Sequence, residues 1–335
     1  METASHIVTV GASAGGVEAL TRFVATLPAD LNAAVLVVLH VAPDLPSSLP
    51  RILERSGPLP CVHAVDGDPL RAGAIKVAPP DRHMAVEGGC IRVWRGSREN
   101  RHRPSIDVLF RSAAVAHGPR TIGVILSGAL DDGVAGMDSI IRAGGHGLVQ
   151  DPDEARHPYL PLNVLHAVPA AEDLPLEVLV ERLKELTDTP GRRGSSDSVE
   201  PARLEQEIGR GMATREEMRS LGHLSGITCP ECSGALTTID SANQLRYRCH
   251  TGHAYTAQTL LLEQSEQVER LLGQTLRQMR ESADSARSLR DHARRRQDHD
   301  RAEHFDKRLR GTERSIQRLY QLMTSAPPEE VRPDH

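Results

Sequence analysis

The run Gly11-Ala12-Ser13-Ala14-Gly15-Gly16 follows the apolar stretch HIVTV and admits two kinds of chemistry. One is phosphate cradling by a glycine-rich loop. The other is presentation of Ser13 as a nucleophile. The first needs a glycine where Ser13 stands and an acid at the end of the next strand, where the chain has His40. The Lys-Ser/Thr of a Walker loop is also missing. The second fits better: residues 11–15 read G-x-S-x-G, a sharp strand-to-helix turn that exposes a serine beneath the free amides of a helix N-terminus. His40 closes the apolar run AVLVVLH (34–40), and Asp131 and Asp132 follow TIGVILSG (121–128). Ser, His and Asp at three strand ends supply a nucleophile, a general base and an orienting carboxylate. Taken singly, the histidine reads as a partly buried cap and the aspartates as helix N-caps. Their shared position at strand ends points to a triad, with both aspartates open as its acid.

A second cluster lies near the C-terminus. Cys229-x2-Cys232, a 16-residue gap and Cys249-x3-His253 form two paired knuckles. Three thiolates and an imidazole suit tetrahedral Zn²⁺, and four protein ligands make such a site structural, with no position open for catalysis. His250 is a rival ligand, but adjacent residues point apart in an extended chain. Scattered thiols and a redox pair are the alternatives; CPEC opens no thioredoxin-like βα unit. The flanking ALTTI and LRYRC predict a zinc-ribbon-like module over 227–256.

The elements that must position these groups follow from the hydrophobic pattern. The chain has 335 residues, 39% apolar but only 2% aromatic, so its core is built from Val, Leu, Ile and Ala, as in helices packed on a parallel sheet. Strand-like and helix-like runs alternate from HIVTV to GLVQDP (147–152). This predicts a doubly wound, mainly parallel α/β domain over 1–186, with a small hairpin in AIKVAPPDRHMAVEGGCIRVW (74–94) read as two strands about a Gly-Gly turn. TDTPGRRGSSDSVEP begins a linker placed at 187–226. Residues 257–324 read as one or two long helices with a leucine stripe in VERLLGQTLRQM, and 325–335 as a disordered tail.

In order, the segments GASAGGVEAL, VVLHVAP, GAIKVAPPDRHM, ENRHRPSIDVLFRSAA, ILSGALDDGVAGM and VQDP resemble the catalytic domain of the chemotaxis protein-glutamate methylesterases, the CheB family, over residues 5–185. The resemblance implies hydrolysis of γ-glutamyl methyl esters on chemoreceptors, with release of methanol, and glutamine deamidation in many members. It implies Ser13 as nucleophile, His40 as base and Asp132, immediately before Gly133, as carboxylate. Catalysis would need no cofactor. Asn100 and Arg103 match a stretch that the family places near the pocket. The family's Thr-Gly-Met-Gly oxyanion segment reads Ser127-Gly128-Ala129-Leu130 here, so Ala129, with Ala14 after the serine, is the expected oxyanion and substrate contact. The chain starts at the catalytic strand without the receiver domain of chemotaxis members, and regulation by an attached receiver is expected to be absent.

Partners are bounded by charge. The formal net charge is −5, which gives no drive toward nucleic acid or anionic membrane. Acidic residues interleaved with RDHARRRQ (290–297) argue against nucleic acid for the tail as well. No run reaches the ~18 apolar residues of a membrane helix, and METASHIVTV lacks a signal-peptide pattern, so a cytoplasmic protein without membrane insertion is expected. Arg95, Arg98, Arg101, Arg103 and Arg111 read either as a solvated loop or as an electrostatic rim for an acidic receptor helix. The expected partners are a methylated chemoreceptor, a CheR-type methyltransferase and a second copy paired through the C-terminal helices. The alternative to an enzyme is a weakly active or inactive signalling scaffold that binds methylated receptors or a methyltransferase partner; a third reading is an esterase on another carboxylic ester.

Overall fold

The computed structural model describes residues 4–44, 46–189, 199–212, 214–241 and 244–325. The chain divides into two compact units, Met1–Leu260 and Leu261–His335.

Among the described residues, the first unit is built on a seven-stranded parallel sheet. Its elements are β1 (His6–Ala12), α1 (Gly16–Thr26), β2 (Ala33–Leu39), α2 (Leu49–Ser56), β3 (Cys61–His63) and β4 (Ala74–Val77). There follow β5 (His83–Glu87), β6 (Cys90–Trp94), α3 (Ile106–His117), β7 (Thr121–Ile125), α4 (Val134–Arg142), β8 (His146–Gln150), α5 (Tyr159–Ala167), β9 (Glu172–Leu174) and α6 (Leu176–Asp188). The strand order is β3-β4-β2-β1-β7-β8-β9. Every residue of β1 and β2 is buried, as their unbroken apolar runs require of strands covered on both faces. Two cores lie on opposite faces, one gathering Phe110, Met137 and Leu160, the other Phe23, Leu53 and Leu179. The chain moves to β2 on one side of β1 and later to β7 on the other. The carboxyl end of β1 is therefore a topological switch point, where open α/β sheets bind ligands.

The segment 74–94 departs from the expected two strands. AIKV is β4 of the large sheet; β5 and β6 make a separate antiparallel ribbon about Gly88-Gly89. The Pro79-Pro80 pair, which cannot supply ladder N–H groups, separates them.

The expected linker is largely ordered too. Its residues 190–198 lie outside the described ones, but α7 (Glu200–Gly209), α8 (Arg215–Ser220) and β10 (His223–Thr228) occupy the rest. In EPARLEQEIG, Pro201 suits the first helical turn, and Ala202, Glu205 and Ile208 recur at helical spacing and are buried. β10, β11 (Ala235–Ser241), β12 (Gln244–Cys249) and β13 (Ala254–Thr256) form a four-stranded antiparallel sheet.

Two helices, α9 (Ala257–Arg295) and α10 (His299–Ser325), run through the second unit. Ala283, Ala286 and Leu309 form its small core, and Arg287 pairs with Glu313 at 3.1 Å. The expected disordered tail lies outside the described residues from 326 onward. No helix among the described residues is long and apolar enough to cross a membrane.

Candidate active site

Ser13 stands one residue past β1, His40 one past β2, and Asp132 in the loop between β7 and α4. Ser13 Oγ lies 3.1 Å from His40 Nδ1, and His40 Nε2 lies 2.8 Å from Asp132 Oδ2. The backbone fixes this register: His40 N–H donates to Ala12 O at 3.2 Å, and Ser13 N–H to Ser127 O at 3.0 Å. The turn into α1 depends on Gly15, whose φ is +71° and where a Cβ would sit 2.7 Å from Ser127 Oγ.

Asp132 is 2% exposed and densely bonded. Its Oδ2 accepts the Ile106 N–H at 2.7 Å; its Oδ1 accepts from Ser105 Oγ at 2.8 Å, Asn100 Nδ2 at 3.1 Å and Asp107 N–H at 3.3 Å. Burial alone would raise its pKa. The hydrogen bond and charge of His40, with His102 and the Ile106 amide, hold it below the usual carboxylate range. An ionised Asp132 accepts a hydrogen bond from the Nε2–H of His40 and leaves the Nδ1 lone pair facing Ser13. Asp131 instead carries a carboxyl pushed up to about 6, first by burial, and its Oδ2 lies 3.5 Å from Gln244 Nε2.

Three residues not named as site candidates from the sequence complete the surroundings. His102 stacks on His40 with ring centroids 3.5 Å apart and planes within 6°. Burial, then the neighbouring His40, push its pKa down to about 3, so it is a neutral plate against the imidazole. Asp107 accepts from Gly133 N–H at 3.0 Å, Gly136 N–H at 2.7 Å and Asn100 Nδ2 at 2.8 Å. Ser105 caps α3 by accepting from Val108 N–H while donating to Asp132.

The segment 127–130 is fastened beside Ser13. Gly128 donates to His157 O at 2.9 Å and accepts from Leu160 N–H at 3.0 Å, and a Cβ on it would lie 3.2 Å from that of Ser13. Ala129 therefore borders the serine turn, as does Ala14, whose carbonyl accepts from Ser127 Oγ at 2.9 Å. The Ser13 amide is committed to Ser127, so an oxyanion must draw on other donors. A cleft of about 410 Å³ opens over Ser13, lined by Val17, Leu39, His40 and Val41, with Glu18 and Arg156 at its edge.

Of the two readings of the arginines, acidic partners for Arg95, Arg103 and Arg111 favour the loop over the rim. Arg103 donates through Nε to Asp81 Oδ1 at 2.8 Å and also reaches the Gly96 carbonyl, so it fastens its own loop. Arg95 binds Asp81 as well, at 2.9 Å. Arg111 is 2% exposed and joins a buried ion network: it meets Glu99 at 2.7 Å, while Glu205 binds Arg246 at 2.7 Å and Arg248 at 3.0 Å. Glu99 is a local partner, but Glu205 lies opposite Arg111 in space and far from it in sequence, which a count of local charges does not reveal.

Cys229, Cys232, Cys249 and His253 come together, with one ligand atom of each within 4.8 Å of all the others. Cys232 Sγ is 3.6 Å from Cys249 Sγ, and His253 Nδ1 is 3.5 Å and 3.7 Å from the Cys249 and Cys229 sulfurs. A tetrahedron with Zn–S bonds of ~2.3 Å has edges near these lengths. His253 Nε2 lies 3.2 Å from Glu231 Oε2, the carboxylate–histidine pairing that orients a metal-bound imidazole. His250 is not in the group.

A family model described as CheB methylesterase matches residues 8–183. The chain is 40% identical over 178 residues to protein-glutamate methylesterase/protein-glutamine glutaminase 4 of Myxococcus xanthus, covering 51% of this chain and 50% of that protein. It is 44% identical over 148 residues to protein-glutamate methylesterase/protein-glutamine glutaminase 3 of Anaeromyxobacter dehalogenans, covering 44% and 43%. The chain thus spans about half the length of these curated relatives. The crystal structure of the Thermotoga maritima CheB methylesterase catalytic domain matches with a TM-score of 0.52 and 28% identity, over 56% of this chain and 100% of that one.

Proposed function

The chain belongs to the CheB methylesterase family, and on that premise we propose that it is a protein-glutamate methylesterase with Ser13 as nucleophile, His40 as general base and Asp132 as orienting carboxylate. His40 Nδ1 takes the Ser13 proton as Oγ attacks the ester carbonyl. Asp132 holds the ring and balances the imidazolium. The amide of Ala14, in the turn that leads into α1, and the Ala129 segment offer donors to the oxyanion. Collapse of the tetrahedral intermediate breaks the C–O bond, and methanol leaves with the proton from His40. Water, deprotonated by His40, then releases glutamate and restores Ser13. A glutamine side chain enters the same sequence with ammonia as the leaving group, the second activity in the relatives' names.

The substrate in this reading is a methylated chemoreceptor or a similar signalling protein. Val17, Leu39 and Val41 offer the cleft an apolar wall for the helix that carries the ester. Asn100 supports Asp132, and Arg103 supports the loop that carries Asn100. Zn²⁺ held by Cys229, Cys232, Cys249 and His253 would be structural, while catalysis needs no cofactor. Cytoplasmic location, a CheR-type methyltransferase acting on the same side chains and pairing of two copies through the C-terminal helices belong to the same reading, with no role for nucleic acid or membrane insertion.

The observation that carries it is the unbroken Ser13–His40–Asp132 hydrogen-bond chain, 3.1 and 2.8 Å, at the switch point of the sheet. The test is methanol release from a methylated chemoreceptor fragment. Release by the native chain and none by Ser13→Ala is expected. Turnover that survives in the variant removes Ser13 from the mechanism, and none in either protein favours the scaffold.

A further inference from the structure

The Cys/His module and the candidate active site share two residues, Glu99 and Asn100. Asn100 is 3% exposed, and its polar atoms are divided between two neighbours. Its side-chain NH₂ donates to Asp132 Oδ1 at 3.1 Å and Asp107 Oδ2 at 2.8 Å. Its backbone N–H donates to Ala254 O at 2.8 Å, and its Oδ1 accepts from Thr256 N–H at 3.2 Å. Ala254 directly follows His253. Glu99 is held from the other side of the same knuckle: Arg248, beside Cys249, reaches Glu99 Oε1 at 2.9 Å and Gly252 O at 3.1 Å. The residues next to two of the four candidate ligands therefore grip the loop that supports Asp132.

The apolar core of the module is small, and the buried ion pairs of Arg246 and Arg248 with Glu205 and Glu99 supplement it. Its buried apolar cluster consists of Cys229, Leu236, Cys249, Tyr255 and Leu260, and two of these are candidate ligands. A core this small does not order four strands alone; binding energy at a metal site becomes ordering energy.

We propose that a divalent thiophilic cation bound by Cys229, Cys232, Cys249 and His253 fixes Asn100, and through it Asp132 and His40. The module is then a metal-dependent positioning element for the active site, and Asn100 is the positioning residue. The consequence for turnover rests on the methylesterase reading; the coupling between the two places does not.

The experiment strips the full-length chain with a chelator and returns Zn²⁺. It reads zinc content, kcat and KM on a methylated receptor fragment, the urea transition of the α/β domain, and the ¹⁵N resonances of the His40 imidazole at fixed pH. About one zinc per chain is expected. Stripping should lower kcat roughly tenfold or more with KM within about twofold, since misplaced catalytic groups cost turnover before binding. The His40 resonances should move on stripping and return with zinc. Asn100→Gly keeps the left-handed backbone, φ +50° in the native chain, but removes the side chain. It should bind zinc with neither kcat nor the His40 resonances responding.

His40 resonances that are the same with and without zinc overturn the proposal, as does an Asn100→Gly variant that responds like the native chain. Loss of the whole α/β urea transition on stripping also overturns it, because the metal would then hold the fold and not this loop. Resonances that respond while no methanol is ever released uphold the coupling and overturn the methylesterase reading alone.

Discussion

Asp132 and Asp107 cap each other's helices. Asp132 Oδ2 accepts the Ile106 N–H at 2.7 Å in the first turn of α3, and Asp107 Oδ1 accepts the Gly136 N–H at 2.7 Å in the first turn of α4. Each carboxylate sits at the positive end of the other's helix. The two acids are buried close together, and their titrations split. Burial and then Asp132 push Asp107 up to about 7, whereas His40 and the Ile106 amide hold Asp132 low. The acid facing His40 is the one that stays ionised.

Asp107→Asn tests this arrangement. The variant keeps an acceptor for Gly133 and Gly136 but turns an NH₂ toward the NH₂ of Asn100. Asn100 must flip, which removes a donor from Asp132 and the acceptor from the Thr256 N–H. A roughly tenfold fall in kcat is expected, with about 1 kcal/mol of stability lost. Methanol-release kinetics and urea unfolding measure the two effects.

Arg248→Met tests the buried ion network. Arg248 is 0% exposed and reaches both Glu99 and Glu205 at 2.9 and 3.0 Å. Burial would raise both carboxyls, but the arginines hold them below their ordinary values. Removing one cation leaves buried negative charge partly uncompensated, at a cost of about 3 kcal/mol. The urea midpoint at neutral pH should fall accordingly; an unchanged midpoint would show that Arg111 and Arg246 suffice.

The catalytic candidates were legible because each ends an apolar strand, and parallel topology brings such ends to one edge. The supports were not. Asp107 reads as an ordinary acid in a first helical turn, and Arg111 as one more charge in an arginine-rich stretch. His102 reaches His40 on an irregular loop without periodicity. The buried role of Glu205 depends on α7, which polar, glycine-rich sequence before it disguised as linker. Local patterns located the candidate groups, while the groups holding them depend on contacts between distant segments.

Gly15→Ala should uncouple the serine turn from the strand below it. The left-handed conformation costs an alanine roughly 1 kcal/mol, and its Cβ would meet Ser127 Oγ at 2.7 Å. Ser127 Oγ also accepts from His157 N–H at 3.0 Å, so it cannot yield without loosening the Gly128 segment. A stability loss of about 2 kcal/mol and at least a tenfold loss of kcat are expected. Gly67, with φ +86° and nothing within 4 Å, is the control. Its alanine variant should lose about 1 kcal/mol with unchanged methanol release.

His102 makes stability depend on pH in a direction that can be worked out. Its ordinary pKa of 6.5 is pushed down to about 3, first by burial and then by His40. Between those values the unfolded chain carries a proton that the folded chain refuses. The unfolded state binds more protons there, so this group's share of stability falls as the pH drops from 6.5 toward 3. Asp107 and Asp131, pushed up to about 7 and about 6, act in the opposite sense over the same range. A comparison of the native chain with His102→Gln cancels those terms. The native chain should lose up to about 2 kcal/mol more than the variant on moving from pH 6.5 to pH 5, read from urea midpoints at both values. Equal losses in the two proteins would mean that the ring stacked on His40 takes up a proton in the folded state.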